Sequence, residues 1–424
     1  MEKEKLKEII IDQNKPIGEE VIEREIYKEI LENKNNPFII IITGIRRSGK
    51  STLLKQIKEV IPGYYLNFDD DRLVEFQIQD FQLLYETLIE LYGEKEVFYF
   101  DEIQNIKGWE RFVRRLHNSK EKVFVTGSNS SMLSKELGTH LTGRNIMINL
   151  YPFSFREYLK LLKVNYSEKS LYEIKEKIKI KKLFNNYLVE GGMPEYLLTK
   201  NKDYLKNLYE NILYKDIIVR YNLSNEKAMK ELVYLAVNNF SKEISFNSFK
   251  KSLGLGSSTT VKEYFGYLEN SFLFFLVPKY DYSLKRQIHS NKKLYVADNA
   301  LAINLGFSFS KNLGRILENL VFLELKRMNK EIFYYQGKNE CDFLCREGAK
   351  ITQAVQVCYE LNKENREREI MGLVEALKKF EIKRGLILTM DQEENLELEG
   401  KKIMIKPVWK WLLQDSKEDK QRFK

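Results

Sequence analysis

Lys50, Ser51, Asp101 and Glu102 are the residues of this chain whose types and settings could do phosphate chemistry. Lys50 and Ser51 close the stretch TGIRRSGKST at residues 43–52, which has the spacing G-x-x-x-x-G-K-[ST] from Gly44 to Ser51. A loop that cradles phosphate needs a buried strand before it, a turn whose N–H groups point inward, and a helix whose N-terminus offers positive dipole to the anion. PFIIIIT reads as that strand and STLLKQIKEV as that helix. Gly44 and Gly49 let the backbone approach closely, Lys50 is expected to reach the β- and γ-phosphates, and Ser51 to ligate Mg²⁺. Ile45, Arg46, Arg47, Ser48 and Thr52 complete the set expected to meet the nucleotide.

The acid pair tests this reading independently. EVFYFDEIQ is an apolar strand that ends in Asp101 and Glu102. An Asp at that place would hold Mg²⁺ and a Glu after it would polarise the attacking water, so the two motifs together point to hydrolysis of ATP rather than binding alone. Two further candidates are less specific. TGSNSS leaves Ser128 or Asn129 near the γ-phosphate position if its strand lies beside those ending in Gly44 and Asp101; an ordinary Ser/Asn turn is the alternative. Arg144, just before IMINL, could stabilise transition-state charge on a neighbouring subunit's nucleotide, an effect of about 10³ to 10⁵ in rate, or could pair locally at the surface.

These residues need a frame of strands. Apolar runs at 38–42, 64–68, 97–100, 123–126 and 146–150 alternate with helical segments, one of which, WERFVRRLHNS, sets Trp109, Phe112, Val113 and Leu116 on one face. Five such strands predict a doubly wound parallel sheet.

Bulk properties bound the rest. A chain of 424 residues is too long for one ordinary core, and 43% apolar with 31% charged residues describes a folded, multidomain protein. The run FIIII is a strand's length, far short of the roughly 20 residues of a membrane span, and MEKEKLKEII is too charged for a secretory signal, so a cytoplasmic location and no membrane association are expected. Cys341, Cys345 and Cys358 have no zinc spacing. Net charge +9 permits nucleic-acid contact without demanding it, and the closing DSKEDKQRFK reads as a solvated tail.

GIRRSGKSTLL, FYFDEIQN, TGSNSSMLS, LTGR and LYPFSFREYL, in that order, resemble the archaeal and bacterial AAA+ family ATPases that carry a C-terminal domain of uncharacterised function. YLVEGGMPEYL, YVADNALAINLG, GRILENLVFLEL and YYQGKNECDFL extend the resemblance over nearly the whole chain. It implies an α/β P-loop NTPase core of the AAA+/ASCE type at 1–150, a helical lid or linker at 151–225, a winged helix at 226–285, and a C-terminal α/β restriction-endonuclease-like, or PD-(D/E)XK, domain at 286–424. Preference for ATP over GTP also rests on the resemblance.

The residues partly support those later modules. Residues 151–225 are helical in pattern, broken by the turn EGGMP. In 226–285, ELVYLAVNNF, SFNSFKKSLGL and SSTTVKEYFGYLENSF read as three helices followed by the strand LFFLVPKYD, with Thr260 and Glu263 at capping-box spacing on the third helix. Lys250, Lys251, Lys262 and Lys279 could meet DNA phosphates, or the module could serve packing between domains. In the last domain Glu318 and Asp342 stand at two acidic positions of the nuclease-like fold, but Gln356 and Cys358 stand where a third acid and a lysine are needed. Gln is a poorer metal ligand than a carboxylate and Cys lacks the ammonium charge, so no efficient cleavage is expected. The expectation is a Mg²⁺-dependent ATPase whose hydrolysis rearranges the C-terminal modules on a DNA or protein partner, with oligomeric state open. An ATP-regulated DNA-binding protein and a metal-dependent nuclease are the rivals, opposed by Glu102 and by Gln356 with Cys358.

Overall fold

A parallel sheet buries both faces, so its strands must be apolar on both sides and its crossovers must return over the sheet as helices. Such a sheet forms the core of the first of two compact units, Met1–Tyr151 with residues 270–272. In this computed structural model residues 1–15, 21–129, 141, 143–167, 169–306 and 313–414 are described. Most of SSMLSKELGTHLT and the tail DSKEDKQRFK lie outside them.

The five expected strands are β1 (Ile39–Thr43), β2 (Tyr64–Asn67), β3 (Val97–Asp101), β4 (Lys122–Gly127) and β5 (Asn145–Asn149), ordered β2-β3-β4-β1-β5. All four neighbouring pairs are parallel. The isoleucine run of β1 shows why both faces are dry. Ile39 and Ile41 join a core with Leu6, Phe100, Trp109 and Leu116, whereas Ile40 and Ile42 join Leu53, Leu54 and Ile57 of the helix Lys50–Val60 on the other face. Because β1 pairs with β4, and β4 with β3, the C-terminal ends of the strands leading to Gly44, Asp101 and Ser128 emerge side by side.

The second unit comprises Pro152–Glu269 and Leu273–Lys424. It opens with the helices Phe155–Leu161, Ile174–Glu190, Pro194–Thr199 and Lys202–Asn211. The EGGMP turn between the second and third is held by Asp298, whose Oδ2 accepts from Gly192 N–H at 2.6 Å. Helices Glu226–Asn238, Phe246–Ser252 and Ser258–Asn270 follow, with the strands β6 (Lys242–Ile244), β7 (Phe274–Pro278) and β8 (Lys292–Val296) paired antiparallel as β6-β8-β7. Two expectations shift here. β8 lies past residue 285, so this small sheet crosses the boundary read there. The third helix starts at Ser258, and the Ser257 hydroxyl accepts from Thr259 N–H at 3.0 Å, which leaves Thr260 inside the first turn rather than at the cap.

The last sheet contains β9 (Glu331–Gln336), β10 (Glu340–Glu347), β11 (Lys350–Val357), β12 (Arg384–Thr389), β13 (Glu394–Leu398) and β14 (Lys401–Pro407), ordered β13-β14-β12-β11-β10-β9. β11, β12 and β14 run parallel and the remaining pairs antiparallel. Leu373 and Leu377 of the helix Arg366–Lys379 share a core with Leu344, Ala354, Ile387 and Ile405 of the sheet. Among the described residues no helix is long and apolar enough to cross a membrane.

Candidate active site

The loop after β1 takes its shape from a close approach that only glycine permits. A Cβ on Gly44 would stand 2.1 Å from the Leu150 carbonyl oxygen. Arg47 (φ 66°) and Gly49 (φ 96°) adopt left-handed backbone conformations, the kind of curl by which successive N–H groups can face one concavity. The helix Lys50–Val60 starts at once, so its N-terminal dipole faces that concavity. Ile45 and Ser48 are buried, whereas Arg47 and Thr52 are exposed. Arg46 approaches Asp69 Oδ2 at 4.0 Å.

Lys50 is buried. Its Nζ donates to Gly44 O at 3.1 Å and Ile45 O at 3.2 Å, and lies 3.6 Å from Glu102 Oε1. The loop lysine and the acid after β3 therefore face each other in one pocket. Asp101 sits deeper: its Oδ2 accepts from the Tyr65 hydroxyl at 2.9 Å and its Oδ1 from Thr126 Oγ1. Burial, and then the neighbouring Glu102 charge, push the Asp101 pKa up, against hydrogen bonds from Thr126, Ser51 and Tyr65. Ser51 and Asp101 are thus in contact, as a shared cation would require.

Glu102 holds a left-handed conformation (φ 49°), uncommon for a residue with a side chain. Its N–H donates to Thr126 Oγ1 at 2.9 Å. Its Oε2 accepts from Gln104 Nε2 at 2.6 Å and Ser128 Oγ at 3.2 Å. Burial favours the neutral acid, but Lys50, the Gln104 bond and Arg46 outweigh it, so the Glu102 pKa lies below the usual glutamate value and the group is ionised at neutral pH.

Do these residues fit a nucleotide and Mg²⁺? Ser48 Oγ is buried with no hydrogen-bond partner among the described residues, a cost that a phosphate oxygen beside the loop would remove. Among the described residues no group of three or more His, Cys, Asp and Glu side chains is set to hold a metal. Ser51 and Asp101 offer two oxygen donors, so an octahedral Mg²⁺ there needs further oxygens from phosphate and water, as such sites use. The donor set fits that arrangement.

The structure therefore brings Gly44 to Ser51, Asp101, Glu102 and Ser128 together. Arg144 stands elsewhere. Its carbonyl accepts from Ile39 N–H, at the start of β1, and its Nη1 donates to Asn118 Oδ1 at 2.8 Å. That is the far end of β1 and β5 from its own loop, roughly 15 Å away at about 3.3 Å per strand residue. Three contributors escaped the sequence reading. Thr126 and Tyr65 flank the acids; a polar residue ending an otherwise apolar strand was the available signal for Thr126. Arg24 gave none: its Nη1 donates to Ser48 O at 2.7 Å and its Nη2 to Tyr151 O at 2.5 Å, so a buried guanidinium ties the phosphate loop to the chain leaving β5.

Residues 36–159 match the AAA domain family, and residues 181–312 a domain of unknown function, DUF8612. The uncharacterized protein MJ1544 of Methanocaldococcus jannaschii is 37% identical over 430 residues, covering 96% of this chain and 94% of that relative. An uncharacterized protein of Haemophilus influenzae is 30% identical over 417 residues, covering 93% and 99%. Among solved structures, a Signal Transduction ATPase with Numerous Domains from Pyrococcus horikoshii matches at 15% identity and TM-score 0.28, over 74% of this chain and 46% of that one. AMPPCP-bound DnaA from Aquifex aeolicus matches at 18% identity and TM-score 0.23, over 58% and 86%.

Proposed function

Because the chain belongs to the family of AAA-domain proteins that includes MJ1544, we propose that it is a Mg²⁺-dependent ATPase whose turnover drives its C-terminal modules on a DNA or protein partner. The observation that carries the reading is the 3.6 Å approach of Lys50 Nζ to Glu102 Oε1 beside the Ser51 and Asp101 contact. A phosphate-binding cation, a metal-ligand pair and an ionised carboxylate converge on one concavity.

In this reading Lys50 exchanges the Gly44 and Ile45 carbonyls for β- and γ-phosphate oxygens. The loop from Gly44 to Thr52 surrounds the phosphates. Mg²⁺, held by Ser51 and Asp101, would neutralise phosphate charge. Glu102 takes the proton of the attacking water, its Oε2 fixed by Gln104 and Ser128 so that Oε1 stays toward the lysine. Ser128, bonded to the base and buried at the end of β4, reports the presence of the γ-phosphate. Arg144 is assigned to the nucleotide of a neighbouring copy, because it lies at the wrong end of β5 for its own.

For the second unit we read residues 226–296 as a winged helix and the six-stranded sheet as nuclease-like in fold. Exposed Lys251 and Lys262, with half-buried Lys250 and Lys279, suit phosphate contacts. The reading is tested by Glu102→Gln, which keeps the size of the side chain and removes the proton acceptor. It is expected to lower kcat by about 10² to 10⁴ and to carry ATP through gel filtration. Hydrolysis as fast as in the unmodified protein would remove Glu102 from the mechanism.

A further inference from the structure

The second unit contains a charge cluster, buried except for Glu340, that plays no part in the nucleotide site. At its centre is Lys293 of β8, its side chain 3% exposed. Its Nζ lies 2.7 Å from Asp342 Oδ1 and 2.5 Å from Glu340 Oε1, both on β10, and 3.2 Å from Glu318 Oε1 on the helix Leu313–Arg327. An ammonium has three protons to donate; Glu318 and Asp342 accept two of them, and Glu340 adds an ion-pair contact.

Further hydrogen bonds hold the acids in place. Glu318 Oε1 accepts from the Tyr295 hydroxyl at 2.7 Å, and Asp342 Oδ2 from Val357 N–H at 2.8 Å. Gln356 uses both ends of its amide: Oε1 accepts from Asp342 N–H at 3.1 Å and Nε2 donates to Glu369 Oε2 at 2.6 Å. Burial works against the charge on Lys293, but Asp342 and Glu318 outweigh it and hold its pKa well above the usual amine value.

A nuclease-like sheet would gather such carboxylates around a divalent metal. The residues do not fit one. Mg²⁺ demands oxygen ligands at about 2.0–2.1 Å in octahedral array, whereas these oxygens converge on a nitrogen at hydrogen-bond distances. We infer that the Lys293 ammonium occupies the cation position of this carboxylate pocket, so that the pocket takes no divalent metal and acts instead as an ionic tie between β8, the helix Leu313–Arg327 and β10. The tie joins the three-stranded sheet to the six-stranded one. It also closes the pocket to phosphodiester chemistry, since Glu318, Asp342 and Gln356 are all spent on partners inside the protein.

This inference does not depend on the ATPase reading, and either can fail alone. The test is Mn²⁺ binding to the full-length, nucleotide-free protein, read from loss of the free-ion electron paramagnetic resonance signal. The unmodified protein and Asp342→Asn are expected to take up equal amounts, whereas Lys293→Gln takes up one further equivalent that Lys293→Gln with Asp342→Asn loses. The inference is overturned if the unmodified protein binds an equivalent that Asp342→Asn or Glu318→Gln abolishes, because an ion would then displace the lysine. A folded Lys293→Gln that gains no Mn²⁺ overturns it equally. Should Lys293→Gln fail to fold, the comparison of the unmodified protein with Asp342→Asn and with Glu318→Gln decides, equal uptake supporting the tie and unequal uptake refuting it.

Discussion

Replacing Arg24 by Ala should loosen the phosphate loop more than any change at its exposed residues. The guanidinium donates to two backbone carbonyls, Ser48 O and Tyr151 O, at 2.7 and 2.5 Å, in a buried setting. A hydrogen bond involving a charged group contributes about 1.5–3 kcal/mol net, so losing two amounts to about 3–6 kcal/mol, with both carbonyls left without that donor. At 1.36 kcal/mol per tenfold change, local opening should become about 10² to 10⁴ times more frequent. Hydrogen exchange followed by mass spectrometry reads this directly, because amide protection reports local opening free energy. Peptides spanning 39–54 should lose at least about a hundredfold of protection, and peptides from β10 to β12 should keep theirs. Arg24→Lys, which can serve one carbonyl rather than two, should fall between. Loss of less than about threefold in the 39–54 peptides of Arg24→Ala would refute the reasoning, since this is below the contribution of even one such bond.

Two further outcomes are expected. If Arg144 serves a neighbouring copy's nucleotide, a mixture of Lys50→Ala and Arg144→Ala proteins should hydrolyse ATP faster than either alone, by pairing an intact loop with an intact arginine; a mixture equal to the mean of its parts would assign Arg144 to its Asn118 contact alone. Glu269 accepts from Leu276 N–H at 2.9 Å, and burial pushes its pKa up to about 7, opposed by that bond and by Lys326 and Lys292. A folded-state value above the unfolded one contributes stability that is present below about 4.5 and lost as pH rises through 7. The urea midpoint of the unmodified protein should therefore fall between those limits more steeply than that of Glu269→Gln, and parallel pH profiles would contradict the assignment.

How much of this was legible in the sequence follows from how local each signal is. The loop from Gly44 to Ser51 and the pair Asp101 and Glu102 could be placed at strand exits from the sequence because each is a contiguous pattern, in which chemistry and secondary structure coincide within a few residues. The five strands of the first sheet were legible for the same reason: each is a short apolar run, and β1, β3 and β4 are buried on both faces. Arg24 and Lys293 were not. Arg24 acts 24 and 127 residues away in sequence, and Lys293 acts 25 and 49 residues away; in KKLYV it is indistinguishable from its half-buried neighbour Lys292. The misplaced cap has a different cause. Ser257, Ser258, Thr259 and Thr260 can all cap a helix, so composition alone left the start of the third helix open by several residues. The small sheet extends past 285 because β8 returns to it only after the intervening helix Leu284–His289, and strand pairing over that distance leaves no local mark.

Two features of the nucleotide site connect fold and chemistry. Glu102 is placed by a strained left-handed turn that Thr126 stabilises from the next strand, so the parallel pairing of β3 with β4 positions this carboxylate. Asp101 is raised in pKa by the burial that puts it beside Ser51, and a bound cation would draw it back to the carboxylate.

The most direct test of the central claim is steady-state release of phosphate from ATP with Mg²⁺ by the purified full-length protein, beside Lys50→Ala, with and without double-stranded DNA. Turnover that disappears in Lys50→Ala and on removal of Mg²⁺ is the predicted result, and stimulation by DNA would identify the partner class. Turnover that persists in Lys50→Ala, or no turnover with or without DNA from protein that binds ATP, would contradict the claim that this loop and its facing acids hydrolyse the nucleotide.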